Sequence, residues 1–338
     1  MDRKYYYIAF QKIHYILYNK GNQIKTKKIL IFILEIILYS LMINFKKDNI
    51  FKFYNSKIKI SLCTMGRKEN LYIKEFVEYY IKLGIDHIFI FNDNEPYEES
   101  INNDKDEIYK KKVTIYDAKL YHIDHQSASF SKCYNDNMDK FDWFLMVDMD
   151  EFLYIVDDSL KNYLANKRFY KCDFIKIHWV IPTDNELIYY DSRPLFERFR
   201  PPFIKSEFIK SIIRGNISGL KYWVHSPFIS PKRNITCNNI GKRIYFKNMN
   251  FESIRPINIK KAYIIHFMLK STEELINKIK RGYKHWYGNY SKINLINRLK
   301  LYFSINKVTF EKIKLIEEEL NLNLSDFIKD ITKKSKYK

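Results

Sequence analysis

The sequence predicts an α/β fold: a mainly parallel sheet flanked by helices, with a helical C-terminal extension and an N-terminal hydrophobic helix. Strand-like and helix-like segments alternate between residues 57 and 147, which is the order that parallel β-α-β units require. From residue 271 onward the apolar residues recur with helical spacing. One long apolar run, residues 29–45, precedes the alternating region.

These changes of pattern divide the 338 residues into three predicted parts. Residues 1–56 form a basic N-terminal segment that contains the hydrophobic helix 29–45, residues 57–270 form the α/β domain, and residues 271–338 form the helical extension. Hydrophobic residues make up 46% of the chain and aromatic residues 17%, so intrinsic disorder is excluded and a sizeable core is expected.

The first half of the α/β domain has the clearest pattern. Residues 70–83 carry a helical apolar stripe, and Gly84 is expected to end this helix in the left-handed conformation. Residues 143–147, WFLMV, form a continuous apolar run, as expected of a strand buried on both faces. The other predicted elements here are strands at 57–64, 86–91 and 113–116 and a helix at 126–140.

Beyond residue 170 the pattern is mixed. Short strands are predicted at 173–181, 208–213, 221–225 and 260–267. Helices are predicted at 271–285, 292–303 and 309–320. We find no internal repeat and no Gly/Ser-rich linker, so a single α/β domain with a helical extension is the simplest interpretation.

The apolar run 29–45 allows three interpretations. As a helix it would be roughly 25 Å long, slightly less than a hydrocarbon core of about 30 Å. Glu35 lies near its middle and lysines flank both ends, so the positive-inside rule gives no orientation. The run is therefore a single-pass anchor, an interfacial helix on an anionic membrane surface, or a buried helix of the fold.

The formal net charge of +20 raises the question of a polyanionic partner. The excess is densest in residues 1–60, which hold 12 Lys and Arg against 3 Asp and Glu. The rest of the chain has an ordinary balance, so we expect no nucleic-acid partner. The four cysteines are scattered and form no CxxC pair, which predicts reduced thiols rather than a disulfide scaffold or a zinc site.

A pair of carboxylates follows the buried strand directly. Asp148 and Asp150 are two residues apart, so a continuing strand would present both on one side to a single hard cation. Carboxylates in this position are costly to hold without a partner. A second Asp-x-Asp, Asp104 and Asp106, lies in a hydrophilic loop where solvent is free. The first pair is therefore the predicted divalent metal site.

Several motifs in order resemble glycosyltransferase family 92, which is related to the family 2 glycosyltransferases with a GT-A fold. Residues 75–93, EFVEYYIKLGIDHIFIFND, resemble the family's E-W-x-x-Y-H-x-x-L-G helix and second strand, and residues 143–153, WFLMVDMDEFL, match its D-x-D-E-F core. The other blocks that carry the resemblance are 60–70, 126–133, 197–199, 210–214, His225, 265–267 and 270–271.

The resemblance implies a GT-A (Rossmann-like) domain over residues 57–270 and a metal-dependent, inverting glycosyltransferase. Its donor would be a nucleotide-diphosphate sugar, with a UDP-sugar and a galactose-like sugar as first guesses. Asp148 and Asp150 would hold Mn²⁺, or Mg²⁺, and His266 after a late apolar strand would complete the metal shell. The alternative for His266 is a hydrogen-bonded histidine of the core.

The resemblance also implies a donor pocket at the ends of the first two strands. Thr64 and Asp93 would border the nucleobase, and Asp148 would lie close to the ribose. Arg67 and Lys68 would neutralise charge on the diphosphate, although a solvated basic loop is an equal alternative.

Inverting transfer also needs a base for the acceptor hydroxyl. Asp184, in the polar turn PTDN, and Glu197, in the ERF block, are the first candidates. Glu151 is the third, although strict strand alternation would point it away from the metal pair. The alternatives are a turn aspartate that caps its own backbone and a Glu197 in a structural salt bridge with Arg198 or another cation.

The expected acceptor is a glycan or a lipid-linked glycan, and the expected membrane contact is made through residues 29–45. Two other functions compete with this one. A sugar-phosphate nucleotidyltransferase also uses a carboxylate after a parallel strand, but it needs a Gly-rich loop where this chain has only Gly66. A catalytically inactive, membrane-associated binding protein is the second competitor.

The sequence predicts a membrane-associated protein whose active site faces the cytoplasm, with the secretory-pathway lumen as the alternative. Four Asn-x-Ser/Thr sequons would suit a lumen, but in a chain this rich in asparagine the number is close to chance. The sequons begin at Asn216, Asn234, Asn289 and Asn323.

Overall fold

The computed structural model describes residues 58–93, 107–119, 126–223, 225–228, 234–245, 252–281 and 292–325. The predicted hydrophobic helix 29–45 lies outside these residues, as do Asp104, Asp106 and Asn289. Within the described ranges, no helix is both long and apolar enough to cross a membrane.

The described strands form one sheet with the order β3-β2-β1-β4-β7-β6-β9-β5, and β8 pairs with β6. The strands are β1 (Ile60–Gly66), β2 (His87–Asn92), β3 (Val113–Asp117), β4 (Trp143–Met146), β5 (Glu151–Ile155), β6 (Phe174–Ile181), β7 (Ile204–Arg214), β8 (Thr236–Asn238) and β9 (Ala262–His266).

Helices flank this sheet and extend the chain beyond it. They are α1 (Ile73–Leu83), α2 (Glu107–Lys112), α3 (Gln126–Asn135), α4 (Leu160–Ala165), α5 (Leu195–Arg198), α6 (Thr272–Arg281), α7 (Lys292–Ile305) and α8 (Phe310–Leu320). The three predicted C-terminal helices correspond to α6, α7 and α8. Gly84 ends α1 with a φ of 107°, as its position in the sequence predicts.

The sheet is mixed rather than mainly parallel throughout: beyond β4, three pairs are antiparallel, whereas β6 pairs in parallel with β8 and with β9. Strands β1 to β4 pair in parallel, but β7 is antiparallel to both β4 and β6, and β5 is antiparallel to β9. Parallel neighbours are usually joined through a helix that packs on the sheet, whereas the connection between β6 and β7, residues 182–203, has no helix longer than the four-residue α5. The strand predicted at 221–225 is also wrong, because only an isolated bridge between Tyr222 and Pro227 forms there.

Two apolar clusters support the two ends of the domain. One contains Phe91, Phe130, Phe144 and Met146, and it packs α3 against the parallel strands. The other contains Leu275, Leu299, Tyr302 and Ile316, and it holds α6, α7 and α8 together. The first cluster fixes the ends of β1 and β4, and the second fixes the face of α6 that borders the site.

All four cysteines are paired, so the prediction of reduced thiols is wrong. Cys63 in β1 bonds to Cys133 in α3, and Cys172 bonds to Cys237 in β8. The partners are 70 and 65 residues apart in the sequence, and all four are buried. No local sequence pattern could reveal pairings over such separations.

Candidate active site

The predicted metal motif forms a turn rather than a strand. β4 ends at Met146 and β5 begins at Glu151, so Asp148 and Asp150 lie in the connection between them. We call residues 148–151 the acidic turn. Its two ends bond to each other, because the Asp148 amide donates to Glu151 Oε2 at 2.9 Å and the Glu151 amide donates to the Asp148 carbonyl at 3.1 Å. Strand alternation is therefore the wrong basis for predicting where these side chains point.

Asp148 faces a buried lysine of β7. Lys210 Nζ donates to Asp148 Oδ1 at 2.9 Å and lies 3.5 Å from Glu151 Oε2. Burial alone would lower the pKa of Lys210, but the carboxylates of Asp148 and Glu151 outweigh this effect and raise it. Gln126, at the start of α3, also donates to Asp148 Oδ1. Lys210 is therefore a fixed positive charge beside the acidic turn.

Asp150 faces a different group of partners. Lys278 Nζ, on α6, donates to Asp150 Oδ2 at 2.6 Å, and His266 Nε2 lies 3.4 Å from Oδ1. Burial would raise the pKa of Asp150, but Lys278 and His266 hold it well below its usual range. Arg298 is also close, since Asp150 opposes the burial that lowers the pKa of this arginine to about 10. Asp150 is thus ionised and surrounded by positive charge.

Glu151 is completely buried inside the same cluster. Its burial and the neighbouring charge of Asp148 raise its pKa well above the ordinary value. Its backbone is held from α1, because the Tyr80 hydroxyl donates to the Glu151 carbonyl at 2.7 Å. The side chain points toward Lys210 and His266 rather than away from the acidic turn, contrary to the alternation argument.

The last strand of the sheet brings His266 to the acidic turn. β9 pairs with β5 so that His266 lies opposite Glu151, and the Phe267 amide donates to the Asp150 carbonyl at 2.8 Å. The imidazole packs edge-on against Trp179, with ring centroids 4.3 Å apart. Burial lowers the pKa of His266, which favours the neutral imidazole that can bind a metal ion.

The carboxylate oxygens and the imidazole nitrogen of this cluster are ligand atoms that suit a divalent cation. Asp150 and His266 are adjacent, and the buried atoms His266 Nδ1 and Glu151 Oε1 have no hydrogen-bond partner within the described ranges. In the same ranges, however, no three His, Cys, Asp or Glu side chains converge as a ready-made metal site. Asp150 is already paired with the ammonium group of Lys278, so a metal ion would have to displace Lys278 from Asp150.

A cavity of about 370 Å³ is linked to the acidic turn through Lys278. It lies between the loop after β1 and helix α6, and Lys278 belongs both to its wall and to the Asp150 ion pair. Two carboxylates, Glu69 and Glu274, also line it. Five basic side chains line the wall: Lys68, Lys270, Lys278, Lys280 and Arg281. The cavity is therefore suited to an anionic ligand.

Helical spacing explains why α6 supplies so many of these groups. Leu275, Ile276 and Ile279 bury one face of the helix in the C-terminal apolar cluster. Glu274, Lys278 and Arg281 are four and three residues apart, so they share a different face, which lines the cavity.

The loop after β1 is fastened to this face of α6. Arg281 donates to the Arg67 carbonyl at 2.6 Å and forms an ion pair with Glu69 at 2.5 Å. Lys270 adds a second, longer ion pair with Glu69 at 3.7 Å. These contacts fix both walls of the cavity.

The predicted donor-binding residues lie at the carboxyl ends of β1 and β2. Thr64 is buried, and the described residues offer its hydroxyl no hydrogen-bond partner. Asp93 is also buried, and its Oδ2 lies 3.7 Å from Arg67 Nε. Lys68 is exposed at the cavity wall with a φ of 52°. Only Lys68 of this group lines the cavity, whereas Arg67 turns toward Asp93.

Asp184 has the contacts of a structural residue. It is buried, Lys312 Nζ donates to its Oδ2 at 2.6 Å, and the Tyr302 hydroxyl donates to the same oxygen. Its Oδ1 accepts from the Glu186 amide at 2.9 Å, which is the self-capping turn that the sequence offered as the alternative. Asp184 therefore fastens α7 and α8 to the sheet.

Glu197 is exposed on the short helix α5. The neighbouring Arg198 does not pair with it and instead forms a 2.8 Å ion pair with Glu274 of α6. Of the three predicted bases, Glu197 has the carboxylate that solvent and an acceptor can reach.

Four basic residues around the acidic turn and the cavity had no role predicted from the sequence. Lys210 lay in a recognised block, but nothing in its surroundings indicated a charge partner 62 positions earlier. Lys278 and Arg281 carried a usable signal, since basic residues three apart lie on one helix face. The residues missed are Lys210, Lys278, Arg281 and Arg298.

The comparisons with known proteins agree with the sequence motifs. The family model of glycosyltransferase family 92 matches residues 56–297. A glycosyltransferase family 92 protein of Ricinus communis is 27% identical over 116 residues, which are 31% of this chain and 19% of the plant protein. The chain therefore matches less than a fifth of that relative's length.

Among solved structures, the crystal structure of HddC from Yersinia pseudotuberculosis is similar at a TM-score of 0.25 and 11% identity. That match covers 46% of this chain and 72% of HddC. The family match spans most of the chain, including β1, the acidic turn and His266. The chain belongs to glycosyltransferase family 92.

Proposed function

We propose that this protein transfers a sugar from a nucleotide-diphosphate donor to a hydroxyl group of a glycan or lipid-linked acceptor, with inversion and with Mn²⁺ or Mg²⁺. The observation that carries the proposal is that Lys278 joins the acidic turn to a cavity lined by five basic and two acidic side chains. Ligands of open α/β sheets bind beyond the carboxyl ends of the parallel strands, where both features lie. A UDP-sugar is the first donor to test.

The cavity supplies what a departing nucleoside diphosphate needs. Negative charge builds up on the diphosphate as the glycosidic bond breaks, and positive groups fixed nearby stabilise that charge. Lys270, Lys278 and Arg281 are held in place by ion pairs, so they need little rearrangement when the reaction occurs. Thr64 and Asp93, at the ends of β1 and β2, would border the nucleobase.

Asp150 and His266 would hold the metal ion. Asp148 would lie close to the ribose of the nucleotide-sugar donor. When bound, the ion would supply further positive charge for the diphosphate. Lys278 would leave Asp150 as the ion enters, and its ammonium group would then be available to the phosphates at the cavity wall.

For the base we favour Glu197 over the other two carboxylates. Glu151 is completely buried and faces Lys210 and His266, so an acceptor hydroxyl has no access to its carboxyl group. Asp184 is buried in an ion pair with Lys312. Glu197 alone of the three is exposed to the solvent from which an acceptor arrives.

The experiment is turnover of a panel of UDP- and GDP-sugars by the full chain, with Mn²⁺ or with EDTA. We expect turnover of one donor with Mn²⁺, its loss with EDTA, and its loss in Asp150→Asn. The matched control is Asp136→Asn, because Asp136 is an exposed carboxylate that forms its ion pair with Lys132 and not with a residue of the acidic turn or of the cavity wall.

Each other outcome has a definite meaning. Turnover that persists in EDTA would remove the metal from the proposal and leave the lysines as the only cations. Release of inorganic pyrophosphate from a nucleoside triphosphate and a sugar phosphate would favour the nucleotidyltransferase. Absence of turnover and of nucleotide binding across the panel would contradict the transferase and favour the membrane-associated binding protein.

A further inference from the structure

The two disulfides bear on the compartment in which the α/β domain folds. All four cysteines of the chain are paired, and none remains free. Disulfides persist in oxidising compartments such as the secretory lumen and are rare in the cytosol, where thiols are kept reduced. Both bonds are buried in the core, so they form as part of the fold.

Two of the sequons lie on the surface of the described residues. Asn216 follows β7 and is exposed together with Ser218, the hydroxyl residue of its sequon. Asn323 follows α8 and is exposed together with Ser325. Neither asparagine lines the cavity, so an attached oligosaccharide would leave the proposed donor site open.

The sequon at Asn234 differs from these two. Its threonine, Thr236, is the first residue of β8 and is only 2% exposed. The adjacent Cys237 is fixed by its disulfide to Cys172. Once β8 has paired and this disulfide has formed, the sequon is closed to modification, so this third sequon provides an internal control.

We infer that the α/β domain resides in the oxidising lumen of a secretory pathway, where Asn216 and Asn323, but not Asn234, carry N-linked glycans. An oligosaccharide on a lipid diphosphate would be the co-reactant. Its anomeric carbon bonds to the side-chain nitrogen of asparagine, the bond to the diphosphate breaks, and the amide loses one proton. This assignment reverses the cytoplasmic active site that the sequence predicts, and it does not depend on the proposed function.

The test is expression of the full chain in eukaryotic cells, followed by lysis in a denaturing buffer that contains a thiol-reactive mass tag. We expect no tagged thiol without reductant and four after reduction. In an Asn289→Gln background, which removes the sequon outside the described residues, peptide N-glycosidase should shift the mobility of the chain by two glycans and convert Asn216 and Asn323 to aspartate in the peptide mass spectrum.

Matched variants separate the three sequons. Asn216→Gln and Asn323→Gln should each remove one glycan, and Ser218→Ala and Ser325→Ala should do the same while the asparagine remains. Asn234→Gln should change nothing. Four reactive thiols with no glycan would overturn the lumenal assignment. Disulfides without glycans, or a glycan on Asn234, would overturn the assignment of the modified sites.

Discussion

Two lysine–carboxylate pairs of the same length have different surroundings in this molecule. Lys312 lies 2.6 Å from Asp184, and the two side chains are 1% and 2% exposed. Lys278 also lies 2.6 Å from Asp150, but these side chains are 15% and 7% exposed and the lysine borders a cavity. The chemistry of the pairs is the same, so their surroundings must determine what each one does.

Both charged groups of the Asp184 pair have several hydrogen-bond partners within the protein. Asp184 accepts from Lys312, Tyr302 and the Glu186 amide, and Lys312 also donates to the Lys307 carbonyl at 3.1 Å. A pair that is buried and hydrogen-bonded in this way holds elements together and has no route to a ligand.

The Asp150 pair is surrounded by an excess of positive charge. Arg298 is close to the same carboxylate, and basic residues continue along the cavity wall. Positive groups that exceed the available carboxylates are costly to hold together unless an anion joins them. In this molecule, an ion pair therefore indicates a binding site only where it borders a cavity and where basic groups outnumber the neighbouring carboxylates.

Loss of the Asp184 carboxylate should have the largest effect on stability. Asp184→Asn leaves the ammonium group of Lys312 buried without a negative partner, which costs about 3–5 kcal/mol in comparable pairs. Urea unfolding monitored by circular dichroism measures the change in the free energy of unfolding. Transfer activity per folded molecule should stay close to that of the parent chain.

The double variant Asp184→Leu, Lys312→Met is the matched control. Because it removes both charges together, it should recover most of the lost stability. If Asp184→Asn instead kept its stability and lost transfer, Asp184 would be the base and the two pairs would not differ as argued.

Loss of the Asp150 carboxylate should affect catalysis more than stability. Asp150→Asn should lower kcat by about 100- to 1,000-fold, the range found when one preorganised electrostatic group is removed. Its unfolding free energy should change less than that of Asp184→Asn, because Lys278 borders the cavity and can be solvated there. Donor turnover and urea unfolding of the same preparation provide both values.

Removal of Lys278 should change the affinities for the two ligands of the site, a nucleoside diphosphate and Mn²⁺, in opposite directions. Lys278→Met should weaken binding of a nucleoside diphosphate by roughly tenfold, because one charge-assisted contact is lost. It should strengthen Mn²⁺ binding in the absence of nucleotide, because the ammonium group no longer competes for Asp150. Isothermal titration of each ligand alone measures both changes.

Lys280→Met is the control for this variant. Lys280 lines the same cavity but forms a half-exposed ion pair with Glu319. Exposed pairs of this kind contribute little, so both affinities should stay within about twofold. Equal changes in the two variants would mean that overall charge, and not the contact with Asp150, controls binding.

The sequence predicted those parts of the molecule whose causes are local. The helix before Gly84 and the apolar strand before Asp148 follow from residues that are close together in the chain. The sequence predicted that Asp148 and Asp150 continue this strand, whereas they lie in a turn, and the predicted direction of the Glu151 side chain was wrong. β5 begins with a buried Glu151, whose polar character hides the strand from a hydrophobicity pattern.

The other contacts of the site depend on residues far apart in the sequence. Lys278 meets Asp150 across 128 positions, and Lys312 meets Asp184 across the same separation. Neither contact leaves a trace in the sequence around either partner. The direction of β7 and β9 is equally hidden, because it depends on which connections the folded chain can make.

The buried Lys176 has no carboxylate partner in the described residues and provides the smallest expected effect. Lys176 Nζ donates to the hydroxyls of Ser211 and Ser226, and burial lowers its pKa well below the ordinary 10.5. The folded chain therefore holds Lys176 neutral at pH values where the unfolded chain holds it protonated. Unfolding then takes up a proton, so the free energy of unfolding should rise with pH by at most ~1.4 kcal/mol per unit.

Urea unfolding between about pH 7 and 9.5 isolates this contribution. The buried histidines His178 and His225 titrate below this window, since burial lowers both pKa values. Burial raises the pKa of Tyr134 to about 12, so the buried tyrosines oppose this rise only as tyrosines of the unfolded chain ionise near pH 10, above the window. Lys176→Met should flatten the rise, whereas the exposed Lys171→Met should keep it. An unchanged slope in Lys176→Met would mean that Lys176 stays charged in the folded chain. Burial without a carboxylate partner would then not be enough to keep Lys176 neutral, and its charge would be the same as that of Lys278 and Lys312.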